Sequence, residues 1–306
     1  MLIIKNNLNK FKQITVAFYS SFNSSGDLNV KAIRDLCRFY IKLGVRSFYL
    51  CGSSGEGLLL KNEERKMTVE TVMEEVYGKA TVIVHVGTLA TRDSIELARH
   101  AEYCNVDAIS SLPTIFYRVP EIALENYWLD IMNSTSLPMI IYNIPDLCGY
   151  DISYNLFKRM IVQDKVIGIK NTSASIYQTQ QFKAIAGKDF IVFNGKDEQY
   201  LAGRMMGAEG GIGGTYGIMP ELFLSLEDNI LNGNIDKAQE MQVVINEIIT
   251  ELLSFNCLYS ALKMIVKLRG VDIGSPRLPL LSLSNDENLR IEQLYKKLMD
   301  CLQNNS

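Results

Sequence analysis

Short apolar segments and longer amphipathic segments alternate along most of the chain. The short segments are rich in β-branched and aromatic residues, which predicts strands. The longer segments repeat apolar residues at spacings of three and four, which predicts helices. Eight strands are predicted in this way, at residues 13–19, 47–52, 81–87, 107–112, 138–143, 166–170, 190–195 and 210–214.

The segments between the predicted strands carry helix signals at their ends. In residues 29–44 the last apolar position is followed by Gly44, a predicted C-terminal cap. In residues 62–78 the predicted N-cap is Asn62. The alternation of strands with such helices favours a parallel sheet with crossover helices.

The number and spacing of these units predict the architecture. Eight βα units within roughly 230 residues match a closed (β/α)8 TIM barrel, whose usual length is about 250 residues. We expect this α/β barrel at about residues 11–225. Helical periodicity continues through residues 226–306, which predicts additional C-terminal helices packed on the barrel. No segment rich in Pro, Gly and Ser divides the chain, so a single domain over residues 1–306 is predicted.

Composition and charge exclude several classes of function. The 306 residues are 47% hydrophobic, which supports a substantial core, and the net charge is only −3. No run of Lys and Arg is interleaved with aromatic residues, so nucleic acid is not an expected partner. No segment approaches about 18 uncharged apolar residues, and the N-terminus lacks a signal-peptide core. We therefore expect no membrane association and a cytoplasmic protein.

The cysteines and histidines do not predict a metal site. The six cysteines are far apart without a CxxC pair, and two histidines supply too few ligands for a zinc cluster. We expect the cysteines to be reduced and structural. His100 is predicted to be an ordinary helix residue and His85 a hydrogen-bonded interior residue.

Two residues at predicted strand ends suggest chemistry. Lys170 ends the apolar segment 166–170, and a lysine at the end of a buried strand can act as a nucleophile. Tyr142 ends the preceding strand, 28 residues earlier, which is about one βαβ unit. We therefore expect the two side chains on adjacent strands at the catalytic face. A lysine that extends to solvent and an ordinary rim tyrosine are the alternatives.

Polar segments follow three other predicted strands. Residues 51–57, CGSSGEG, offer the hydroxyls of Ser53 and Ser54 to a carboxylate or phosphate, and their glycines allow close approach to a ligand. Asp197 and Glu198 follow the seventh strand and suit the hydroxyl groups of a sugar. They could equally be the acidic first turn of a helix. The eighth strand is so rich in glycine that its backbone must closely approach a ligand or a helix.

The ordered motifs GSSGEG, YNIP, GIKNTS and NGKDE resemble the N-acetylneuraminate lyase and dihydrodipicolinate synthase family of class I pyruvate aldolases. The resemblance covers nearly the whole chain. It implies that Lys170 forms a Schiff base with the keto group, that Tyr142 relays protons and that Ser53 and Ser54 hold the pyruvate carboxylate. Tyr117 is similar to a tyrosine that reaches into the site of a neighbouring subunit.

The motif details resemble the N-acetylneuraminate lyase branch most. Leu147 stands where the synthase branch normally has an arginine that binds the second substrate. The resemblance therefore implies cleavage of N-acetylneuraminate to N-acetylmannosamine and pyruvate. It also implies that the sugar tail is bordered by five residues: Thr172, Gly195, Asp197, Glu198 and Gly213. Three residues depart from the lyase pattern and could change the acceptor pocket: Ala174, Ser175 and Gly214.

Two other functions stay open at this point. One is a different pyruvate-dependent aldolase, for 2-keto-3-deoxy sugar acids or similar to dihydrodipicolinate synthase. The other is a non-catalytic sugar-acid sensor on the same barrel. The resemblance implies small-molecule substrates, namely a sugar acid and pyruvate, and a homotetramer. It implies no metal and no cofactor beyond the covalent imine on Lys170.

Overall fold

The eight predicted strands close into one parallel barrel. The computed structural model describes residues 8–304. Neighbouring strands pair in chain order, and β8 pairs with β1 to close the barrel. This confirms the predicted (β/α)8 barrel. The strands are β1 Ile14–Ala17, β2 Ser47–Leu50, β3 Thr81–His85, β4 Ala108–Ser111, β5 Met139–Asn143, β6 Val166–Asn171, β7 Ile191–Asn194 and β8 Gly210–Gly213.

Helices follow the strands, and further helices continue after β8. The predicted boundary at residue 225 lies within the helix that follows β8, and three more helices come after it. In chain order the helices are α1 Val30–Lys42, α2 Asn62–Val76, α3 Thr91–Tyr103, α4 Glu121–Asn133, α5 Pro145–Cys148, α6 Tyr154–Met160, α7 Ile176–Ala186, α8 Tyr200–Met205, α9 Pro220–Leu231, α10 Ile235–Leu253, α11 Leu258–Leu268 and α12 Asn285–Asn304.

Apolar side chains fill two layers, inside the barrel and between barrel and helices. The inner layer includes Tyr49, Ile140, Tyr142 and Ile212, all nearly inaccessible to solvent. The larger outer layer joins the opposite faces of the strands to the helices. Because successive strand residues point to opposite faces, strand residues alternate between these two layers. An inward residue at the carboxyl end of a strand therefore faces the mouth of the barrel.

The helix caps agree with the sequence prediction at α1 and differ at α2. Gly44 lies just beyond α1 with φ +90°, the conformation that favours glycine at a helix end. The prediction of Asn62 as an N-cap was wrong, because Asn62 is the first helical residue and Lys61 is the cap. The Lys61 N–H donates to the Glu64 carboxylate at 2.8 Å, so the acidic residue satisfies the helix end.

The C-terminal helices pack on one side of the barrel and reach its mouth. α10 packs against α9 and contacts the 3-10 turn Asp197–Gln199 after β7. Within residues 8–304, no single helix has the length and hydropathy required to cross a bilayer. The pair α10 and α11 meets those criteria jointly, by length and composition alone, across a bend of 117°.

Candidate active site

A β-bulge brings Lys170 opposite Tyr142. β5 and β6 pair as Met139 with Val166, but the register then shifts so that Ile140 pairs with Gly168 and Tyr142 with Lys170. One extra residue reverses the inward and outward alternation of β6. Without it Lys170 would face the outer layer; with it Lys170 faces the barrel interior. This confirms that the two residues end adjacent strands on the same face.

Lys170 lies in an aromatic pocket without a counter-ion. Its side chain is buried, with the residue 5% exposed. The Nζ atom lies 4.0 Å from the ring centroid of Tyr142 and 4.8 Å from that of Tyr49. No carboxylate in the described part of the chain forms an ion pair with this amine. A buried primary amine of this kind is suited to attack a carbonyl carbon.

The phenol of Tyr142 is held by packing on both sides. Its ring contacts the rings of Tyr49 and His85 edge-on, at centroid distances of 5.9 and 6.1 Å. Its Oη lies 3.5 Å from Ser53 Oγ. Because this hydroxyl has no closer partner within residues 8–304, it is free to exchange a proton with a ligand in the mouth.

His85 is buried, as predicted, and its ring packs against the ring of Tyr142. Its Nδ1 lies 3.2 Å from the Cys51 carbonyl oxygen, and its Nε2 accepts from the Leu112 N–H at 3.3 Å. Burial, followed by the nearby charges of Arg65 and Lys170, lowers the pKa of His85 well below its ordinary value. The ring is therefore neutral at physiological pH, with its proton on Nδ1. His100, also as predicted, lies in α3.

The loop after β2 places Ser53 and Ser54 at the mouth. Gly55 and Gly57 closely approach backbone atoms and Gly52 the Tyr49 ring, which corrects the expectation that these glycines make room for a ligand. A Cβ at Gly57 would lie 1.8 Å from the Cys51 carbonyl oxygen. Ser53 and Ser54 are half-buried, with Ser53 beside Tyr142 and Ser54 beside Gly214. The two hydroxyls therefore lie next to the Lys170 pocket, where a substrate carboxylate would fit.

A second polar region lies at the ends of β6, β7 and β8. Thr172 Oγ1 is buried without a hydrogen-bond partner in residues 8–304. Asp197 accepts from the N–H and the hydroxyl of Thr215 through Oδ2, both at 2.7 Å, and its Oδ1 has no partner there. Buried polar atoms without partners are rare in folded proteins. These two atoms mark a place where a ligand would complete the hydrogen bonds.

Two glycines make room for these polar atoms. A Cβ at Gly195 would lie 2.0 Å from Thr172 Oγ1, and a Cβ at Gly213 would lie 2.2 Å from Asp197 Oδ1. The structure therefore brings together four of the five residues predicted at the sugar end. Glu198, the fifth, is half-buried beside Asp197, and its side chain has no bonded partner in residues 8–304.

Burial changes the titration of Asp197. Loss of solvent raises the pKa of Asp197 from its ordinary 3.8 to about 6, against the opposing effect of the Thr215 hydrogen bonds. The nearby Glu198 raises it and Lys170 lowers it by smaller amounts. Ligand donors directed at Oδ1 would favour the ionised form.

Helix α10 holds the turn that carries Asp197. The Gln242 side chain donates to the Asp197 carbonyl at 3.3 Å and accepts from the Leu201 N–H at 2.9 Å. Asn246, one turn later, donates to the Glu198 carbonyl at 3.1 Å. Sequence reasoning missed both residues, because their only signal is two amides on the buried side of a helix distant in sequence.

Tyr117 lies apart from these two regions. It is 67% exposed in the segment between β4 and α4, and its ring contacts that of Phe116, which is 86% exposed. The structure shows no contact from Tyr117 to Lys170 or Tyr142. Its predicted role in the site of a neighbouring subunit stays a prediction.

Comparisons with known proteins agree on one family. The family described as the dihydrodipicolinate synthetase family matches residues 10–298. The chain belongs to this family. The N-acetylneuraminate lyase of Mediterraneibacter gnavus is 40% identical over 297 residues, 96% of this chain and 94% of its own. That of Clostridium perfringens is 31% identical over 287 residues, 94% and 99% of the two chains.

Solved structures give the same assignment. The catalytic lysine mutant of Ruminococcus gnavus sialic acid aldolase has a TM-score of 0.96 at 39% identity, covering 98% of this chain and 99% of the other. CdNal from Clostridium difficile in complex with mannosamine has a TM-score of 0.90 at 30% identity, covering 93% and 98%. The predicted family membership is therefore confirmed.

One departure from the dihydrodipicolinate synthetase family's lyase pattern, Ser175, has a local explanation. Ser175 is the N-cap of α7, and its hydroxyl accepts from the Gln178 N–H at 3.2 Å. The Ala174 backbone carbonyl accepts from the Gln199 side chain at 3.2 Å, which links the loops after β6 and β7, but nothing in the structure explains the alanine side chain. Leu147 lies in α5 after β5 and is 64% exposed. An exposed leucine there leaves the mouth without the arginine of the synthase branch.

Proposed function

We propose that this protein is a class I aldolase that cleaves N-acetylneuraminate into N-acetylmannosamine and pyruvate through an imine on Lys170. The observation that carries the proposal is the Lys170 amine, buried without a counter-ion and facing Tyr142 across the β5–β6 register. The names of the relatives support the substrate. The Ruminococcus gnavus neighbour is a mutant of a catalytic lysine, so that aldolase also has one.

Imine formation begins at the C2 keto group of the open-chain substrate. The Lys170 amine adds to C2, and the resulting hydroxyl leaves as water with a proton from Tyr142. This step leaves a protonated imine on Lys170 and a phenolate on Tyr142. The protonated imine withdraws electrons from the C3–C4 bond.

Cleavage then returns the proton to Tyr142. The phenolate takes the proton of the C4 hydroxyl, the C3–C4 bond breaks, and its electron pair moves into an enamine on Lys170. N-acetylmannosamine leaves as the aldehyde. Tyr142 protonates C3 of the enamine, then takes a proton from the water that attacks C2, and pyruvate is released. Tyr142 carries every other proton in this cycle; only the shift between nitrogen and oxygen within each carbinolamine bypasses the phenol.

The two polar regions suit the two ends of this substrate. The hydroxyls of Ser53 and Ser54 would hold the carboxylate next to the imine carbon. The unpartnered atoms of Thr172 and Asp197 would bind the hydroxyl-bearing tail, with Glu198 beside them. A shorter keto acid without that tail would leave these atoms unsatisfied, at about 1–3 kcal/mol per group. This favours a sugar acid over a smaller acceptor.

We further propose a cytoplasmic homotetramer. The exposed Phe116 and Tyr117, one after the other in an irregular segment, suit a contact with a second subunit. Light scattering after size-exclusion chromatography tests the assembly, with four times the chain mass expected. A monomer that retains full activity would contradict a role for Tyr117 in a neighbouring site.

A coupled assay tests the activity. Pyruvate release is followed with a lactate-forming reductase, with N-acetylneuraminate and a 2-keto-3-deoxy sugar acid as parallel substrates. With a six-carbon deoxy sugar acid, we expect a kcat/KM for N-acetylneuraminate at least about a hundredfold higher, because its longer hydroxyl-bearing tail reaches more of the polar groups at the sugar end. A preference for the deoxy sugar acid would redirect the assignment to another pyruvate aldolase. Binding without any pyruvate release would indicate a sensor.

A further inference from the structure

A buried ion pair connects the loop of Ser53 and Ser54 to a C-terminal helix. Glu56 Oε1 lies 2.6 Å from Lys263 Nζ, and the two side chains are 0% and 3% exposed. Glu56 lies in the loop after β2, whereas Lys263 lies in α11. Such a pair costs much desolvation and is weak evidence for stability alone. A positional role would account for its presence.

The carboxylate of Glu56 has a second fixed partner. Its Oε2 accepts from the Arg277 N–H at 2.7 Å. The Lys263 amine also donates to the Ser275 carbonyl at 3.2 Å and lies 4.4 Å from the ring centroid of Phe22. The carboxylate is therefore held from two directions, by a side chain and by a backbone group.

The backbone of Glu56 is hydrogen-bonded to the segment that carries the serines. Its N–H donates to the Ser53 carbonyl at 2.9 Å, and the next residue, Gly57, donates to the Gly52 carbonyl at 3.0 Å. Glu56 itself has φ +51°, the left-handed region that is uncommon for a non-glycine residue. A strained residue persists when its surroundings fix it. The ion pair provides that constraint one hydrogen bond away from Ser53.

Helix α11 also carries a second tyrosine close to this loop. Burial raises the pKa of Tyr259, and the nearby Tyr142 and Glu56 raise it further. Tyr259 is half-buried and precedes Lys263 by one helical turn. Helix α11 therefore contacts the loop of the serines through Lys263.

We propose that Glu56 and Lys263 are positioning residues, which fix Ser53 and Ser54 in the geometry that binds the substrate carboxylate. The inference rests on the proposed function, since it concerns the pyruvate end of that site. It assigns part of the site to residues 207 positions apart in sequence, taken as 263 minus 56. It predicts a loss of carboxylate binding rather than a loss of imine chemistry.

Titration of imine formation with pyruvate tests this role directly. Each variant is incubated with increasing pyruvate, reduced with borohydride, and the adduct on Lys170 is measured by peptide mass spectrometry. We expect Lys263→Met to raise the half-saturating pyruvate concentration by about tenfold to a hundredfold. The maximal adduct and the kcat for N-acetylneuraminate should change less than about threefold, since uniform binding is lost.

Matched variants separate positioning from general destabilisation. Lys183 pairs with Glu209 at 2.6 Å just before β8 begins, at the opposite end of the barrel. Lys183→Met should leave the half-saturating pyruvate concentration unchanged. The double variant Glu56→Gln with Lys263→Met removes both buried charges without restoring the ion pair, so its half-saturating pyruvate concentration should stay raised; a return to within about twofold of the wild type would contradict the positioning role. If Lys263→Met does not fold, Glu56→Gln serves in its place, because its amide can still accept from Arg277 N–H.

The outcomes distinguish this inference from the proposed function. A wild-type protein that forms no adduct on Lys170 overturns both. A normal wild-type titration, together with a folded Lys263→Met or Glu56→Gln whose half-saturating pyruvate stays within about twofold, overturns the positioning role alone. If Lys183→Met raises the half-saturating pyruvate concentration as well, the effect comes from lost stability, and the inference is contradicted.

Discussion

The two ends of the candidate site differ in what surrounds their functional groups. At the pyruvate end, Lys170 Nζ faces the rings of Tyr49 and Tyr142, and His85 packs edge-on against Tyr142. At the sugar end, Thr172 Oγ1 and Asp197 Oδ1 are buried without partners in residues 8–304. The first end is preorganised for one chemical step. The second end has buried polar atoms that the hydroxyl groups of a ligand would satisfy. Chemistry and substrate choice are thus separated in space.

The largest effect should come from the pyruvate end. Lys170→Ala removes the amine, and turnover should fall on the order of 10⁴-fold or more, because no imine can form. The circular dichroism spectrum should be unchanged, since the buried lysine forms no ion pair in the described chain. Coupled pyruvate release measures the loss. Turnover close to that of the wild type would remove the imine from the mechanism.

Tyr142→Phe should divide binding from proton transfer at the same end. The ring still packs against Tyr49 and His85, so pyruvate binding should change little. Without the hydroxyl, kcat should fall by about 10²- to 10⁴-fold. Steady-state kinetics with N-acetylneuraminate measures kcat, and trapping of the pyruvate imine after incubation to equilibrium reports binding, because Tyr142 affects only the rate at which that imine forms. An unchanged kcat would assign the proton transfers to another group.

Asp197→Asn should affect the sugar end alone. Loss of the charged acceptor should raise the KM for N-acetylneuraminate by about tenfold to a hundredfold, corresponding to roughly 1.5–3 kcal/mol. The half-saturating pyruvate concentration should stay the same. An equal effect on both ligands would contradict the separation of the two ends.

The titration of Asp197 should make substrate binding at the sugar end depend on pH. Its pKa is raised to about 6, so the carboxylate gains a proton as the pH falls through 6. The wild-type KM for N-acetylneuraminate should therefore rise up to about tenfold between pH 7 and pH 5, and Asp197→Asn should lack this change. The folded state also holds this proton between about pH 4 and pH 6, so its contribution to the unfolding free energy falls as pH rises there.

The smallest effects should come from two neighbouring glycines. Gly213→Ala places a Cβ 2.2 Å from Asp197 Oδ1 and 2.3 Å from the Tyr216 ring, both buried. It should raise the KM for N-acetylneuraminate about tenfold through overpacking. Gly214→Ala places a Cβ 2.5 Å from the Ser54 hydroxyl, which can rotate away but then loses part of its contact with the substrate carboxylate. This variant should raise the half-saturating pyruvate concentration by up to about threefold, whereas Gly213→Ala should leave it unchanged; similar effects of both variants on pyruvate would contradict this distinction.

The barrel could be predicted from the sequence because each strand carries its own local signal. All eight strands were predicted within a few residues, and the 28-residue spacing correctly placed Tyr142 beside Lys170. The bulge that makes this pairing possible was not predicted. Its local sign is Gly168 within the strand, since glycine inside a strand often marks a bulge.

The supporting contacts of the site could not be predicted in the same way. Gln242 and Lys263 act on loops about 45 and 207 residues away, and no local pattern connects them. Likewise, the glycines of residues 51–57 were explained by ligand approach, whereas Gly57 faces the Cys51 carbonyl. Periodicity reports which face of an element is buried, but it does not report which partner covers that face.

Borohydride trapping with two ligands tests the central claim most directly. The protein is incubated with N-acetylneuraminate or with pyruvate, reduced, and mapped by peptide mass spectrometry. The proposed cleavage through an imine predicts the same reduced pyruvyl adduct on Lys170 from both ligands. An adduct from pyruvate alone would contradict N-acetylneuraminate as the substrate, and an adduct on a different lysine, or on none, would contradict the imine at Lys170.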